Sequence, residues 1–375
     1  MANIFDYLND VAYDSFYDLP VNELDVLALT ELTYLPFDDV VTQEPKRLID
    51  LSSQIPRETT MLTNKNRLQL LDQLAQHKRF KNCKLSNFIN DIDAELQKQF
   101  AAMTYRISLD TYLLVFRGTD DSIIGWKEDF YLSYTTGTNG QKAAVAYINQ
   151  LFENETLPIH VGGHSKGGNL AIYAACHCMD SIRSHITKVW SNDGPGFQGE
   201  MLQSPAYQSI QEKITLIIPD SSIIGILMNN VEPKIIKSTV NNVQQHDALT
   251  WIVKRNHFEK AESLSANSVF LNKAVDKFLE NLSDEEAKIA IDAIFAILES
   301  TDAESFAKLK EGGFDSLKDI ITALQKLPPE KSSVILRLIG TMISDSGNIL
   351  ANDYMSKVQE QFNKVKDSFT KKDER

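Results

Sequence analysis

The spacing of apolar residues along the chain changes character near residue 100. Before that point it is mostly helical, as in the amphipathic segment Leu68–His77. Beyond it, short apolar runs alternate with segments of helical spacing, which predicts a parallel sheet with helical crossovers. The predicted strands are Phe100–Ile107, Tyr112–Phe116, Ile159–Gly162, Lys188–Ser191, Ile214–Pro219, Ile235–Val240 and Trp251–Val253. The predicted helices between them are Ala143–Phe152, Leu170–Cys178 and Met201–Gln211.

The β pattern ends near residue 258, and helical spacing returns for the rest of the chain. A capping-box sequence at Ser283–Glu286 begins one helix, and an apolar stripe from Val334 to Ile343 marks another. We therefore expect an α/β domain over residues 1–258, with a helical N-terminal part over 1–95, and a helical C-terminal region over 259–375. The apolar stripes of that last region are interpreted as the core of a helical bundle.

Composition and charge narrow the range of partners. The chain has 375 residues and a net charge of −13, which argues against nucleic acid as the main partner because phosphate binding needs a basic surface. The N-terminus has neither the basic nor the apolar part of a signal peptide, and no apolar run reaches the roughly 18 residues of a membrane span. We therefore expect a cytoplasmic protein without a transmembrane segment. The three cysteines are interpreted as core residues, with no metal or cofactor expected.

One short motif carries the strongest chemical signal. Gly163-His-Ser165-Lys-Gly167 fits the pattern G-x-S-x-G, with an apolar strand before it and an alanine-rich helix after it. This order is that of a nucleophile elbow, in which a strained turn exposes a serine hydroxyl and glycines avoid clashes with the strand and the helix. The alternative is a plain glycine-rich turn between a strand and a helix. We interpret Ser165 as a nucleophile.

A second motif precedes the elbow. The strand ending at Phe116 continues into Arg117-Gly-Thr119, which places Thr119 at a strand end near Ser165. The backbone N–H and hydroxyl of Thr119, together with the backbone N–H of Lys166, would form an oxyanion hole. Without Ser165, the same segment would be only a turn after a strand.

Two carboxylates are candidates for the role of the acid that would orient a catalytic histidine. Asp193 follows the predicted strand Lys188–Ser191, and Asp220 follows the next strand, Ile214–Pro219. Both stand at carboxyl ends of strands, where α/β sheets place their sites. Chain order favours Asp220, because an acid after the later strand is nearer the histidine in sequence. Asp193 remains the alternative, although it also suits a turn before Gly-Pro.

Three histidines follow the elbow at a useful distance. His185 precedes both acids and breaks the expected order of serine, acid and histidine, while His257 lies in a charged, surface-like segment. His246 lies in a predicted loop from which it can reach a serine, so it is the expected base. His164, beside the serine, is expected to point away from the hydroxyl and serve in packing.

Together these segments resemble the class 3, or fungal-type, lipases of the α/β-hydrolase superfamily, and in particular bacterial members that carry a domain-of-unknown-function label. The resemblance spans about residues 90–258 and includes Trp126 and Asp129, which follow Thr119. It implies an α/β-hydrolase fold with a mostly parallel central sheet. It also implies that Thr119, Ser165, Asp220 and His246 are the oxyanion residue, nucleophile, acid and base. Two segments depart from lipase patterns: Lys166 replaces an apolar residue, and Asn192-Asp-Gly-Pro-Gly replaces an apolar-Gly-x-Pro-Arg sequence.

These inferences predict an ester hydrolase that needs no metal or organic cofactor. A thioesterase or amidase would use the same three residues, and a non-catalytic binding protein could keep the fold, so both stay as alternatives. The substrate is expected to be a small-molecule or lipid-like ester with a short or medium acyl group, since Lys166 would place a cation beside the nucleophile and the net charge would repel anionic bilayers. The sequence leaves the oligomeric state open.

Overall fold

The computed structural model describes residues 1–272, apart from 59–61, 94, 97, 120–131, 133–136, 229, 267 and 270–271. Within these residues the helices are α1 (Ile4–Asp10), α2 (Glu23–Leu32), α3 (Leu48–Leu51), α4 (Leu62–Gln76), α5 (Asn139–Phe152), α6 (Lys166–His177), α7 (Asp180–His185), α8 (Gly199–Leu202) and α9 (Pro205–Ile210). The strands are β1 (Lys46–Arg47), β2 (Lys84–Asp93), β3 (Lys98–Arg106), β4 (Tyr112–Phe116), β5 (Ile159–His164), β6 (Ile186–Asn192), β7 (Ile214–Pro219), β8 (Lys234–Ile236), β9 (Val253–Lys254) and β10 (His257–Phe258).

Strands β1 to β8 form one sheet in the order of the sequence. The pairs from β1 to β4 are antiparallel, and the pairs from β4 to β8 are parallel. The hairpin between β3 and β4 turns at Ser108-Leu-Asp110, where the Ser108 hydroxyl donates to Asp110. Helices α5 and α6 fill two of the crossovers that parallel strands require. The carboxyl ends of β4 to β8 therefore lie along one edge of the sheet.

Helices cover both faces of this sheet. Along β4, Leu113 and Val115 join the core that includes the N-terminal helices, whereas Leu114 and Phe116 join the core under α5 and α6. This alternation follows from the two-residue period of a strand. Helix α2 approaches β5 so closely that a Cβ on Gly162 would lie 2.8 Å from Val26. The N-terminal helices thus pack on the sheet as part of its core.

The structure confirms the expected α/β class and corrects one part of it. Residues 1–95 were expected to be mostly helical, but they also contain β1 and β2, which extend the antiparallel side of the sheet. Strand β2 escapes the sequence pattern because its polar residues, as in Ser-Asn-Phe-Ile-Asn-Asp, hide the alternation of a half-buried strand.

The predicted boundary at residue 258 stays a prediction. The chain beyond it still bonds to the sheet region, since the N–H of Ala261 donates to Ile235 and that of Ser265 donates to Asp220. The expected helices after residue 272 lie outside the described residues. No helix in the described part of the chain is long and apolar enough to cross a membrane.

Candidate active site

Ser165 occupies a strained turn between β5 and α6. Its φ of 56° and ψ of −131° are unusual for a residue with a side chain, and its hydroxyl makes no capping hydrogen bond to α6. The flanking glycines are required by contact: a Cβ on Gly163 would lie 2.1 Å from the carbonyl oxygen of Gly167, and a Cβ on Gly167 would lie 2.1 Å from that of Phe116. The local geometry is therefore that of a nucleophile elbow.

His246 lies beside this elbow, at the end of the 3-10 turn Asn242–His246. Its ring centroid is 4.8 Å from that of His164, the residue before Ser165. Gln245 anchors the turn. Its side-chain oxygen accepts a hydrogen bond from the backbone N–H of Ser221, and its backbone carbonyl oxygen accepts one from the buried indole of Trp251. The structure thus brings the expected base to the expected nucleophile loop.

Asp193 is the carboxylate that contacts His246. Its Oδ2 lies 2.6 Å from Nδ1 of His246, and the Asp193 side chain is only 1% exposed. Its other oxygen, Oδ1, accepts hydrogen bonds from the Ser222 hydroxyl at 2.5 Å and from the N–H of Gly225 at 3.1 Å. With Oδ1 held by these donors, Oδ2 is directed at the imidazole.

This pairing favours Asp193, the alternative that the sequence left open, over the Asp220 that chain order suggested. Asp220 accepts from the side chain of Gln245 at 2.9 Å and from the Ser221 hydroxyl at 3.3 Å, so it supports the His246 turn without being hydrogen-bonded to His246. The reason lies in the sheet. Asp193 follows β6, the direct neighbour of β5, whereas Asp220 follows β7, one strand spacing of about 4.8 Å further away.

The segment expected to supply the oxyanion hole lies against the elbow. A Cβ on Gly118 would lie 2.9 Å from the Cβ of Ser165, which places the following residue, the half-buried Thr119, near the nucleophile. Lys166 begins α6, so its backbone stands at the positive end of the helix dipole. Trp126 and Asp129 lie outside the described residues.

The side chain of Lys166 is not where the sequence suggested. It is 1% exposed, and its ammonium group donates to the carbonyl oxygen of Gln99 at 3.0 Å and to the side-chain oxygen of Gln99 at 2.8 Å. The ammonium group is thus buried against strand β3 and is not exposed beside Ser165. Of the groups of Lys166, the backbone N–H stays the candidate donor for an oxyanion hole.

Several positioning residues were missed by the sequence patterns because they carry no motif. Asn169, fully buried on α6, donates to the carbonyl oxygens of Pro195 and Gly196 and so holds the loop that carries Asp193. Gln245 likewise holds the turn that carries His246, and Ser222 donates a hydrogen bond to the carboxylate of Asp193. One usable signal existed for Asn169, since a polar residue in the alanine-rich stretch of α6 needs buried hydrogen-bond partners.

Two groups near His246 have pKa values displaced by their surroundings. Burial, together with the nearby His246, lowers the pKa of His164 to about 3, so this imidazole is neutral at ordinary pH. Burial and the nearby Glu31 raise the pKa of Asp247, the neighbour of His246. No group of three or more His, Cys, Asp or Glu residues in the described part of the chain is arranged to hold a metal ion.

Gly225 offers a direct test of how Asp193 is held. A Cβ at this position would lie 2.4 Å from Oδ1 of Asp193 and 2.5 Å from a methyl group of Ile218. We expect Gly225→Ala to displace the carboxylate and lower kcat roughly 100-fold, the scale of a misplacement of about 1 Å in an active site. Gly199→Ala is the matched control, because no atom of the described residues lies within 4 Å of its added Cβ. Equal rates for the two variants would contradict this account of the acid.

The mixed sheet, the strand–serine–helix elbow and the position of the site at the carboxyl edge define an α/β-hydrolase fold. Within that class, the chain belongs to the Mbeg1-like family, whose model matches residues 74–296, more than half of the chain. The match includes Thr119, Ser165, Asp193, Asp220 and His246. No curated protein matches the chain.

Solved lipases show a distant similarity to this chain. The M37 lipase is 16% identical over 56% of this chain and 70% of its own, with a TM-score of 0.36. The Rhizomucor miehei lipase propeptide complex is 14% identical over 60% of this chain and 74% of its own, with a TM-score of 0.34. The Lip2 lipase from Yarrowia lipolytica is 15% identical over 52% of this chain and 81% of its own, with a TM-score of 0.32. At this level of overlap, function has to be inferred from the residues of this chain.

Proposed function

We propose that the protein is a serine hydrolase that cleaves carboxylic esters. Ser165 is the nucleophile, His246 the general base and Asp193 the acid that orients the histidine. The observation that carries this proposal is the Asp193–His246 hydrogen bond of 2.6 Å beside a serine held at a positive φ. A structural turn has no need of a strained serine, a buried carboxylate and an imidazole at one edge of a sheet.

The reaction would proceed through an acyl-enzyme. Asp193 engages Nδ1 of His246, so Nε2 takes the proton of Ser165 as its Oγ attacks the ester carbonyl carbon. The negative charge that develops on the carbonyl oxygen is stabilised by backbone N–H groups of Thr119 and Lys166 and by the N-terminal end of α6. The tetrahedral intermediate collapses, the alkoxide leaves with the proton from His246, and an acyl-Ser165 ester remains. Water activated by His246 then attacks that ester and releases the carboxylic acid.

The segment after Asp220 supports a substrate with an apolar acyl group. This segment consists of turns around the acid, since Ser222 and Gly225 bond to Asp193 and the carbonyl oxygen of Leu227 accepts from the N–H of Gly196. Ile226 is buried against the sheet, whereas four neighbouring apolar side chains stay only half-buried: Ile223, Ile224, Leu227 and Met228. These four residues lie close to the acid and provide an apolar surface for an acyl chain.

A panel of p-nitrophenyl esters from acetate to palmitate tests this function. We expect hydrolysis with the highest kcat/KM for short or medium chains, because we propose that the enzyme acts on dissolved esters, and therefore no jump in rate at the solubility limit. The net charge of −13 separately opposes docking on anionic lipid surfaces. Thioesters and anilides of the preferred acyl group serve as competing substrates. A rate jump at the solubility limit, strongest for long chains, would contradict the predicted chain-length preference. Faster turnover of the thioester or anilide would contradict the choice of ester.

A further inference from the structure

Tyr34 contacts both sides of the candidate active site from the N-terminal region. It lies just beyond α2, and its hydroxyl accepts a hydrogen bond of 3.1 Å from the backbone N–H of Gly118. The same hydroxyl lies 3.1 Å from Nδ1 of His164. One side chain therefore joins the residue before Thr119 to the residue before Ser165.

His164 continues this connection toward the base. Its Nε2 lies 2.9 Å from the carbonyl oxygen of His246, which can only accept a hydrogen bond. The imidazole is neutral, because its pKa is near 3, so its single proton must be on Nε2. Nδ1 is then an acceptor, and the Tyr34 hydroxyl is its donor. Each hydrogen-bonding atom along the path has one consistent role.

Neighbouring charges hold Tyr34 in this position. The guanidinium carbon of Arg67 lies 4.0 Å from the centre of the Tyr34 ring, and Arg67 also pairs with Glu31 at 3.0 Å. Glu31 is nearly fully buried, and its second oxygen lies 3.6 Å from Nδ1 of His164, beyond hydrogen-bond distance. The Tyr34 hydroxyl is therefore the hydrogen-bonding partner of Nδ1 in this cluster, with the carboxylate neutralised by Arg67.

We propose that Tyr34 and His164 are positioning residues that couple the oxyanion segment to the loop of the catalytic base. The path runs from the N–H of Gly118 to the Tyr34 hydroxyl, from that hydroxyl to Nδ1 of His164, and from Nε2 of His164 to the carbonyl oxygen of His246. This inference rests on the proposed function. It makes the N-terminal helical region a part of the active site, with both residues acting through their hydrogen bonds to Gly118 and His246.

Tyr34→Phe removes both hydrogen bonds of the hydroxyl and keeps the ring. We expect kcat to fall 10- to 100-fold with KM changed less than threefold, because a misplaced oxyanion donor acts on the transition state. Rates are expressed per active site titrated with a fluorophosphonate, so partial unfolding does not affect them. Tyr105→Phe is the matched control: Tyr105 is fully buried, and its hydroxyl donates to the carbonyl oxygen of Leu29, away from the site. We expect it to keep kcat within twofold.

A double-mutant cycle separates coupling from general loosening of the fold. His164→Leu can neither accept from the Tyr34 hydroxyl nor donate to the carbonyl oxygen of His246, so it breaks the same path, and the double variant of Tyr34→Phe and His164→Leu should lose no more activity than the more affected single variant. Multiplicative losses, equal losses in Tyr34→Phe and Tyr105→Phe, or a wild-type kcat in His164→Leu would each overturn the proposal. If Ser165→Ala retained activity in the same assay, the proposed function would be at fault. An inactive Ser165→Ala beside an unaffected Tyr34→Phe would refute the coupling alone.

Discussion

Replacing Ser165 with alanine is expected to abolish ester hydrolysis while the protein stays folded. The hydroxyl supplies the attacking oxygen, and loss of a nucleophile in comparable enzymes lowers kcat by about 10⁴ to 10⁶. Alanine has to adopt the same positive φ, which serine already does, so the elbow should keep its shape. The measurement is kcat on the preferred p-nitrophenyl ester, with thermal unfolding as a check on the fold.

A serine remote from the elbow provides the control for this variant. Ser184 lies on α7, just before the amino end of β6, and its hydroxyl donates to the carbonyl oxygen of Ser181, so Ser184→Ala removes a hydroxyl of the same type at the opposite end of the sheet. We expect it to keep kcat within twofold. Turnover near the wild-type level in a folded Ser165→Ala protein would place the nucleophile elsewhere, or remove hydrolysis from the account.

The second large effect is expected from the acid. Asp193→Asn should lower kcat by about 10⁴, because an amide facing Nδ1 favours the wrong tautomer of His246. Asp220→Asn should cost less than tenfold, since an asparagine oxygen can still accept the hydrogen bond from Gln245. The pH profiles of kcat/KM for both variants complete the measurement. The opposite ranking would return the role of the acid to Asp220, as chain order suggested.

Much of the fold could be predicted because its strands differ strongly in pattern from its helices. Buried runs such as Ile214–Pro219 and Tyr112–Phe116 match the observed strands β7 and β4. The region Met201–Gln211 was predicted as one helix but contains two short ones, since Pro205 starts a new helix behind Ser204. Strand β8 is shorter than the predicted Ile235–Val240 and ends at Ile236.

The site was only partly predictable, because residues that lie close together in the sheet can be far apart in the sequence. Ser165 was found through its glycines, whose need follows from local contacts. The choice of Asp193 as the proposed acid required knowledge of strand order, because only the pairing of β5 with β6 shows that Asp193 follows the strand next to the elbow. Its φ of 49° also gives it the appearance of a turn residue, which is what the sequence suggested.

Tyr34 illustrates a different limit. It lies 84 residues before Gly118 and 130 residues before His164 in the chain, and no motif marks it. Its role emerges only when α2 packs over β5, where Gly162 permits the close approach. The N-terminal region was predicted only as a helical part of the α/β domain, but in the structure Tyr34 contacts His164 and Gly118 directly.

The central claim, that Ser165 is an activated nucleophile, is tested most directly by labelling with a fluorophosphonate and mapping the adduct by mass spectrometry. Attack of the Ser165 oxygen on phosphorus would expel fluoride and leave a stable phosphonyl ester. We predict one adduct per chain, located on the peptide that contains Ser165, formed rapidly in the wild type and at least 100-fold more slowly in Asp193→Asn. Absence of labelling in the folded protein, or an adduct on another serine, would contradict the account.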